Sequence, residues 1–395
     1  MAFIGKQRMI ISLVVITAAL LLAGCAGDSL SETRAVLAAK NQGDIVIGAA
    51  WPFAQNDGGL WQGIELAVEE LNVSGGINGR QIRIIKKDDE ASVTKGMAIA
   101  QEFAEDPEVV AVIGHRNSYI SLPAASIYEK AGLVMLTPAS TAPELSQQDY
   151  KYIFRSIPSD VEIATAMAVY AAGSDLNRIA VYYVDDSYGR GLANAFEDSA
   201  TKIGLNVVDR ISYYGDLKGL ADLRRKWDAF DYNAVFVADS AKGGAQFMAD
   251  ARRMGISAPF LAGNTMDSPG FCEMAGAAAE GTVIGTVFNP LDTRPEVRKF
   301  IHAFSAKYKE EPTQYAAQGY DAVNLLADAI KKGGSTESAQ IAEALRGLKD
   351  WPGVAGLHTF DQKGDEKGKM VVKKVVRNGK IEIIKSRIKG DRLDD

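Results

Sequence analysis

The chain has 395 residues, 47% hydrophobic and 24% charged, which is enough apolar material for more than one domain and too evenly mixed for a coiled coil or a disordered chain. With 38 Gly and 12 Pro it does not have the composition of a collagen either. The 44 Lys+Arg against 50 Asp+Glu leave a net charge of -6, so nucleic acid and anionic membrane surfaces are excluded as general partners.

Lys6 and Arg8 precede an apolar run over 9–23, roughly 15 residues, which suits the central region of a signal peptide better than a membrane span of about 20. The run ends in Leu21-Leu22-Ala23-Gly24-Cys25, and small residues directly before a cysteine resemble the lipobox of bacterial lipoproteins. The resemblance implies a signal peptide over 1–24, a diacylglyceryl thioether on Cys25 and membrane contact through that lipid anchor only; a short N-terminal anchor with an incidental cysteine is the alternative. Residues 25–43 lack apolar periodicity and read as a flexible, lipidated tether. Cys272 is the only other cysteine, so it has no disulfide partner if Cys25 is acylated, and it reads as a small core residue.

From residue 44 onward, short β-branched runs alternate with helical patterns, as in parallel sheets with crossover helices. Strands are expected at 45–49, 81–86, 109–113 and 133–136, separated by helices at 60–71, 93–103 and 120–130. A second series of strands follows at 178–184, 205–212, 234–238, 259–262 and 282–287, with helices such as 191–202 and 243–254 between them. Helices at 295–308, 315–331 and 338–348 come after both series and are expected to complete the first unit. Short strands at 353–360, 369–376 and 380–385 close the chain, and Asn378-Gly379 between the last two is a hairpin signal. The fold class is therefore α/β, with two Rossmann-like doubly wound lobes and the ligand crevice between them at the carboxyl ends of the strands.

Catalytic chemistry finds little support. His115, His302 and His358 are far apart and show no metal-ligand spacing, and no P-loop, dinucleotide fingerprint or nucleophile elbow is present. No catalytic residue, metal or cofactor is expected. Asp88-Asp89 and Asp185-Asp186 read as loop carboxylates, with Asp185 the one nearer the crevice.

Ala67-Val68-Glu69-Glu70-Leu71-Asn72, Gly75-Gly76-Ile77-Asn78-Gly79-Arg80 and Asp88-Asp89 come in a distinctive order. Val112-Ile113-Gly114-His115, Pro123-Ala124-Ala125-Ser126-Ile127-Tyr128 and Thr137-Pro138-Ala139-Ser140-Thr141-Ala142-Pro143-Glu144-Leu145 follow, and then Tyr188-Gly189-Arg190-Gly191-Leu192-Ala193, Ala279-Glu280-Gly281 and Tyr320-Asp321-Ala322-Val323. Together they resemble the branched-chain amino acid (Leu/Ile/Val-binding) group of type I periplasmic solute-binding proteins, over about 45–368. The resemblance implies two lobes joined by three crossovers, lobe 1 being 44–158 plus 289–366 and lobe 2 being 159–288 plus 367–395. It also implies capture of a small solute, an amino acid or related carboxylate, for an ABC permease in the periplasm or at the outer face of the cytoplasmic membrane. The same fold serves sensory or regulatory lipoproteins that act on a membrane or cell-wall partner, and that reading stays open.

Carried over residue by residue, the carboxylate pocket falls on Ser118, Ala139 and Thr141, where backbone N–H groups, hydroxyls and a helix N-terminus near Ser118 suit an anion. Tyr188 and Tyr315 match the walls of the side-chain end, and Trp51 and Asn56 lie in the expected capping loop. The positions of the family's acidic partner for the ligand ammonium and of a neighbouring tyrosine hold Asn264 and Ser240. Recognition of an α-amino group then needs another acid, with Asp239 the best placed and Asp185 the alternative. A short disulfide of the family would need cysteines at Ala91 and Asn117, and both are absent.

Overall fold

The computed structural model describes residues 30–40, 42–55 and 58–384. Two parallel sheets organise it. The first has five strands in the order β2-β1-β3-β4-β5: β1 Ile45–Trp51, β2 Ile82–Asp88, β3 Val109–Gly114, β4 Val134–Thr137 and β5 Ile153–Arg155. Every residue of β1 and β3 is buried, because helices cover both faces of these central strands, and their sequences IVIGAAW and VVAVIG are accordingly apolar throughout. The helices of this lobe are α1 Leu30–Lys40, α2 Leu60–Val73, α3 Val93–Glu105 and α4 Ser118–Ala131.

The second sheet has seven strands in the order β14-β13-β10-β9-β8-β6-β7. Its parallel part is β6 Arg178–Tyr183, β7 Asn206–Ile211, β8 Ala234–Ala238, β9 Phe260–Ala262 and β10 Val283–Thr286, and the hairpin β13 Val372–Arg377 and β14 Lys380–Ile383 adds antiparallel to β10. Helices α5 Asp160–Gly173, α6 Ser187–Lys202, α7 Leu217–Ala229, α8 Ala241–Arg253 and α9 Pro269–Ala275 belong to this lobe. The two-lobed α/β architecture expected from the alternating pattern is thus present.

After β10 the chain returns to lobe 1 through α10 Pro295–Tyr308, α11 Gln314–Gly333, α12 Ser338–Arg346 and the small ladder β11 Trp351–Gly353 and β12 Gly356–His358. Side chains Tyr315, Leu325, Leu326, Ile341 and Leu345 of these late helices share one core with Ile45, Ile47 and Trp51 of β1. Helices α2 and α11 pack closely at Gly63, where a Cβ would fall 2.0 Å from the Ala316 carbonyl oxygen, so this contact requires glycine.

The chain passes between the lobes three times, around 155–160, 286–295 and 358–372. Polar groups tie these crossovers together. Arg155 is buried and donates to Asp365 Oδ1 at 2.6 and 2.8 Å and to the Ala142 carbonyl at 2.7 Å. Lys369 Nζ donates to the Ser156 carbonyl at 3.1 Å and lies 3.3 Å from His358 Nε2, while His358 Nδ1 lies 2.6 Å from Glu366.

The tether reading of 25–43 is corrected over its second half. Residues 30–40 form a helix docked on lobe 1, anchored by the buried Arg34, which the polar composition alone did not reveal. Cys25, the 1–24 segment and the first half of the tether lie outside the described residues. Among the described residues no helix is long and apolar enough to cross a membrane, and no group of three His, Cys, Asp or Glu side chains could hold a metal ion.

Candidate functional site

In both sheets the order in which the parallel strands are connected reverses at one point, between β1 and β3 in lobe 1 and between β6 and β8 in lobe 2. A crevice at the carboxyl ends of the strands is expected there, because the loops diverge to either side. A cleft of about 720 Å³ occupies this place, lined by residues of both lobes. From lobe 1 come Pro52, Gln55, Arg116, Ser118, Ala139 and Tyr315; from lobe 2 come Val184, Asp186, Tyr188, Ser240, Thr265 and Glu273.

Ser118 is the first residue of α4, so the positive end of the helix dipole and its unsatisfied N–H groups face the cleft. Its hydroxyl accepts from the Ala142 N–H at 3.3 Å, which joins the loops after β3 and β4. Arg116 sits two residues earlier, with its guanidinium 4.8 Å over the Tyr315 ring and 3.4 Å from the Tyr315 hydroxyl. This side of the cleft therefore concentrates hydrogen-bond donors and positive charge.

The opposing side carries two acids, Asp186 and Glu273, beside one cation, Lys242. Asp186 caps α6 by accepting from the Gly189 N–H at 2.9 Å, and burial raises its pKa above the usual carboxylate value. Tyr188 follows it on α6, its hydroxyl 3.2 Å from Thr265 Oγ1. Gly189 is required beside them, because a Cβ there would fall 2.0 Å from the Val184 carbonyl oxygen.

Behind these residues lies a carboxylate that the sequence reading overlooked. Asp160 opens α5 directly after the first crossover, is fully buried, and neither of its oxygens has a hydrogen-bond partner. Burial pushes its pKa up to about 8, against the milder opposite pull of Thr141 and Arg155. The Thr141 hydroxyl is also buried and stands beside Asp160 without reaching hydrogen-bond geometry. An unsatisfied acid and an unsatisfied hydroxyl meeting at one point is costly, and such groups require a reason.

Of the residues singled out from the sequence, Ser118, Ala139, Tyr188, Ser240 and Tyr315 line the cleft together. Trp51 does not. Strand β1 runs two residues further than expected, so Trp51 ends a strand rather than a loop; it is fully buried with its ring edge-on to Tyr315 at 5.8 Å and supports the wall from behind. Asp239 is also displaced from the expected role. It is buried, accepts from the Ser240 N–H at 2.5 Å, and would clash with any Cβ on Gly243, so the start of α8 covers it; burial raises its pKa to about 6.

Ser240 is the N-cap of α8, accepting from the Gly243 N–H at 3.0 Å while its residue borders the cleft. Asn264 is buried, and its carbonyl oxygen accepts from Gln314 Nε2 at 2.5 Å, so its place is an interlobe contact rather than the cleft surface. Of the Asp185-Asp186 pair the cleft member is Asp186; Asp185 is exposed and paired with Arg190 at 2.7 Å. Asn56 lies outside the described residues. Arg116 was readable in principle, since it shares the short loop of Ser118, whereas nothing local in Ser159-Asp160-Val161-Glu162 distinguishes Asp160 from a helix-start acid.

Residues 52–380 match the periplasmic binding protein family. The chain is 30% identical to the Leu/Ile/Val-binding protein of Escherichia coli strain K12 over 88% of its own length and 93% of that protein. It is similar to the structure of an ABC transporter substrate-binding protein from Desulfitobacterium hafniense in complex with Leu, at 49% identity and a TM-score of 0.81, covering 86% of this chain and 100% of that one. The structure of the branched-chain amino acid transporter substrate-binding protein LivJ from Streptococcus pneumoniae in complex with isoleucine is 26% identical, with a TM-score of 0.78 and coverage of 86% and 99%.

Proposed function

The chain belongs to the periplasmic binding protein family, and on that premise we propose that it is an extracytoplasmic solute-binding protein that captures a branched-chain or other hydrophobic amino acid, or a related carboxylate, for an ABC importer. The observation that carries this reading is the polarity of the cleft. Ser118, the α4 N-terminus and Arg116 face the Asp186 side, with the unpartnered Asp160 behind it. A zwitterion aligned between them places its carboxylate on lobe 1 and its ammonium toward lobe 2. Tyr188 and Tyr315 supply flat apolar walls for the side chain.

Asp160 gives the arrangement its selectivity. An arriving ammonium group supplies the partner the buried carboxylate lacks, so the cost of holding that acid unpaired is recovered only when ligand binds. A micromolar affinity corresponds to about 8 kcal/mol, which a handful of charge-assisted hydrogen bonds plus side-chain burial can supply after ordering costs. Capture couples to lobe closure about the three crossovers, with lobe 1 taken as 44–158 plus 289–366 and lobe 2 as 159–288 plus 367–395. Acylation of Cys25 keeps the protein at the outer face of the membrane, close to the permease that receives the solute.

The test is calorimetric titration with leucine, isoleucine and valine beside leucinamide and 4-methylpentanoate, which each lack one charged end. The expected result is micromolar binding of at least one amino acid and a loss of about tenfold or more for each truncated analogue, since each loses at least one charge-assisted hydrogen bond. Binding of the truncated compounds as tight as that of leucine would contradict the proposal, as would silence across the whole panel.

A further inference from the structure

A buried pair lies behind the lobe 1 half of the cleft. His115 directly follows β3 and is fully buried; its Nδ1 lies 2.8 Å from Asp89 Oδ2 and its Nε2 lies 3.2 Å from the Tyr128 hydroxyl of α4. The Asp89 carboxylate accepts, so the hydrogen between the two belongs to Nδ1. Asp89 is fully buried as well, and is not the solvated acid that its place beside Asp88 suggests. The cleft is lined by chain neighbours of both residues and by neither of them.

Three loops that line the cleft from lobe 1 meet at this pair. The loop after β2 is held by Asp89, whose Oδ1 accepts from the Ala91 N–H at 3.0 Å; the Ala91 carbonyl accepts in turn from the Tyr119 hydroxyl at 3.2 Å. Both Glu90 and Ala91 have left-handed backbone there, at φ 49° and 53°, which residues other than glycine keep only where their surroundings enforce it. The loop after β3 starts from His115 itself and carries Arg116 and Ser118 into the cleft. The loop after β4 is tied to the His115 carbonyl, which accepts from the Thr137 hydroxyl at 2.8 Å and the Ser140 hydroxyl at 3.1 Å, on either side of Ala139. Thr137 Oγ1 also accepts from the Ser140 N–H at 3.1 Å, so this loop is closed on the same point.

We propose that His115 is the positioning residue of the carboxylate pocket. Contacts at both ring nitrogens leave the imidazole one orientation, and the Cα and carbonyl it is attached to are fixed with it. That carbonyl is then a post that sets the distance between the loops of Ser118 and Ala139 before any solute arrives, so their ordering does not have to be supplied by binding. The inference rests on the reading that lobe 1 takes the ligand carboxylate. His115 touches no solute and acts through the loops it holds.

The experiment titrates the full chain with leucine, 4-methylpentanoate and leucinamide, in wild type and in two variants. His115→Leu removes both ring contacts, and Asp89→Asn keeps the shape while replacing one of two acceptor oxygens by a donor. Leucine and 4-methylpentanoate, which carry the carboxylate, are expected to bind about tenfold more weakly in either variant, the equivalent of one charge-assisted hydrogen bond, and leucinamide less than threefold more weakly. A residue that only stabilises the lobe would weaken all three compounds alike, and that result would overturn the proposal. Unchanged affinities in folded variants would overturn it too. If His115→Leu fails to fold, Asp89→Asn decides by the same comparison, since it retains the imidazole. Wild-type protein that binds leucinamide as tightly as leucine would remove the carboxylate pocket itself and this inference with it, whereas wild-type discrimination that persists in both variants refutes the positioning role alone.

Discussion

Replacing Asp160 by Asn keeps the shape of the side chain and removes its ability to ionise, which separates the cost of the acid from its use. The folded acid holds its proton up to about pH 8, whereas an unfolded aspartate releases it near pH 3.8. Folding therefore takes up a proton between these limits, and stability falls as pH rises across that window. At pH 7 the penalty is about 4 kcal/mol, and near pH 4 it is under about 1 kcal/mol. In a chain of this size the full penalty corresponds to about 5 °C in Tm. Asp160→Asn is expected to raise the Tm of the ligand-free protein at pH 7 and leave it nearly unchanged at pH 4. Leucine titrations carry the second half of the test. A bound ammonium requires the ionised acid, so wild-type affinity rises from pH 6 to pH 8 by up to about 50-fold, and the variant loses both that slope and most of its affinity. Calorimetry at the two pH values and thermal unfolding across pH measure both. A variant that is equally destabilised at every pH, or one that binds leucine like wild type, would refute the role assigned to Asp160.

The other substitutions probe the surroundings of this group. Thr141→Val removes a buried hydroxyl that has no partner in the ligand-free protein, so leucine affinity should fall by about 1 to 3 kcal/mol while unliganded stability is kept or slightly raised, as read by titration and thermal unfolding. Gln314 is buried at the start of α11 and donates across the lobes to the carbonyls of Asn264 at 2.5 Å and Asp267 at 3.2 Å; Gln314→Ala should weaken leucine binding by about 1 to 3 kcal/mol and open the solution envelope seen by small-angle scattering. Lys374 of β13 pairs with Asp267 at 2.8 Å inside lobe 2, so Lys374→Met leaves a buried carboxylate without its cation, held only by the Thr286 hydroxyl at 2.6 Å, and should cost about 3 to 5 kcal/mol in chemical denaturation, with most of the loss recovered in Lys374→Met/Asp267→Leu.

The fold was legible because its physics is local and repeated. Strands buried on both faces must be apolar end to end, helices between them must show one apolar stripe, and this alternation located every strand of the two parallel sheets except β5, three residues long and tucked against the first crossover. The lobe 1 half of the cleft was legible for a related reason: Ser118 and Ala139 come soon after the carboxyl ends of strands, where the crevice at the switch point lies. What escaped depends on contacts between distant segments. Trp51 reads as a capping residue until β1 is seen to continue beneath Tyr315. Asp239 and Asn264 follow strands as expected, but α8 and Gln314 bury them. Asp160 resembles any acid at a helix start, and only the crossover brings it against Thr141 and Tyr188. Arg34 sits in a polar stretch that looks like a linker, and its partners lie 69 to 75 residues away.

The central claim is that one lobe holds the carboxylate of an amino acid while a buried acid at the entrance to the other lobe holds its ammonium. A crystal structure of the leucine complex tests it most directly. The ligand carboxylate should lie within about 3 Å of Ser118 and the loop carrying Ala139, and its nitrogen within hydrogen-bond reach of Asp160 or of a water that Asp160 binds. Leucine found outside the cleft, or inside it with its two ends exchanged, would contradict the account.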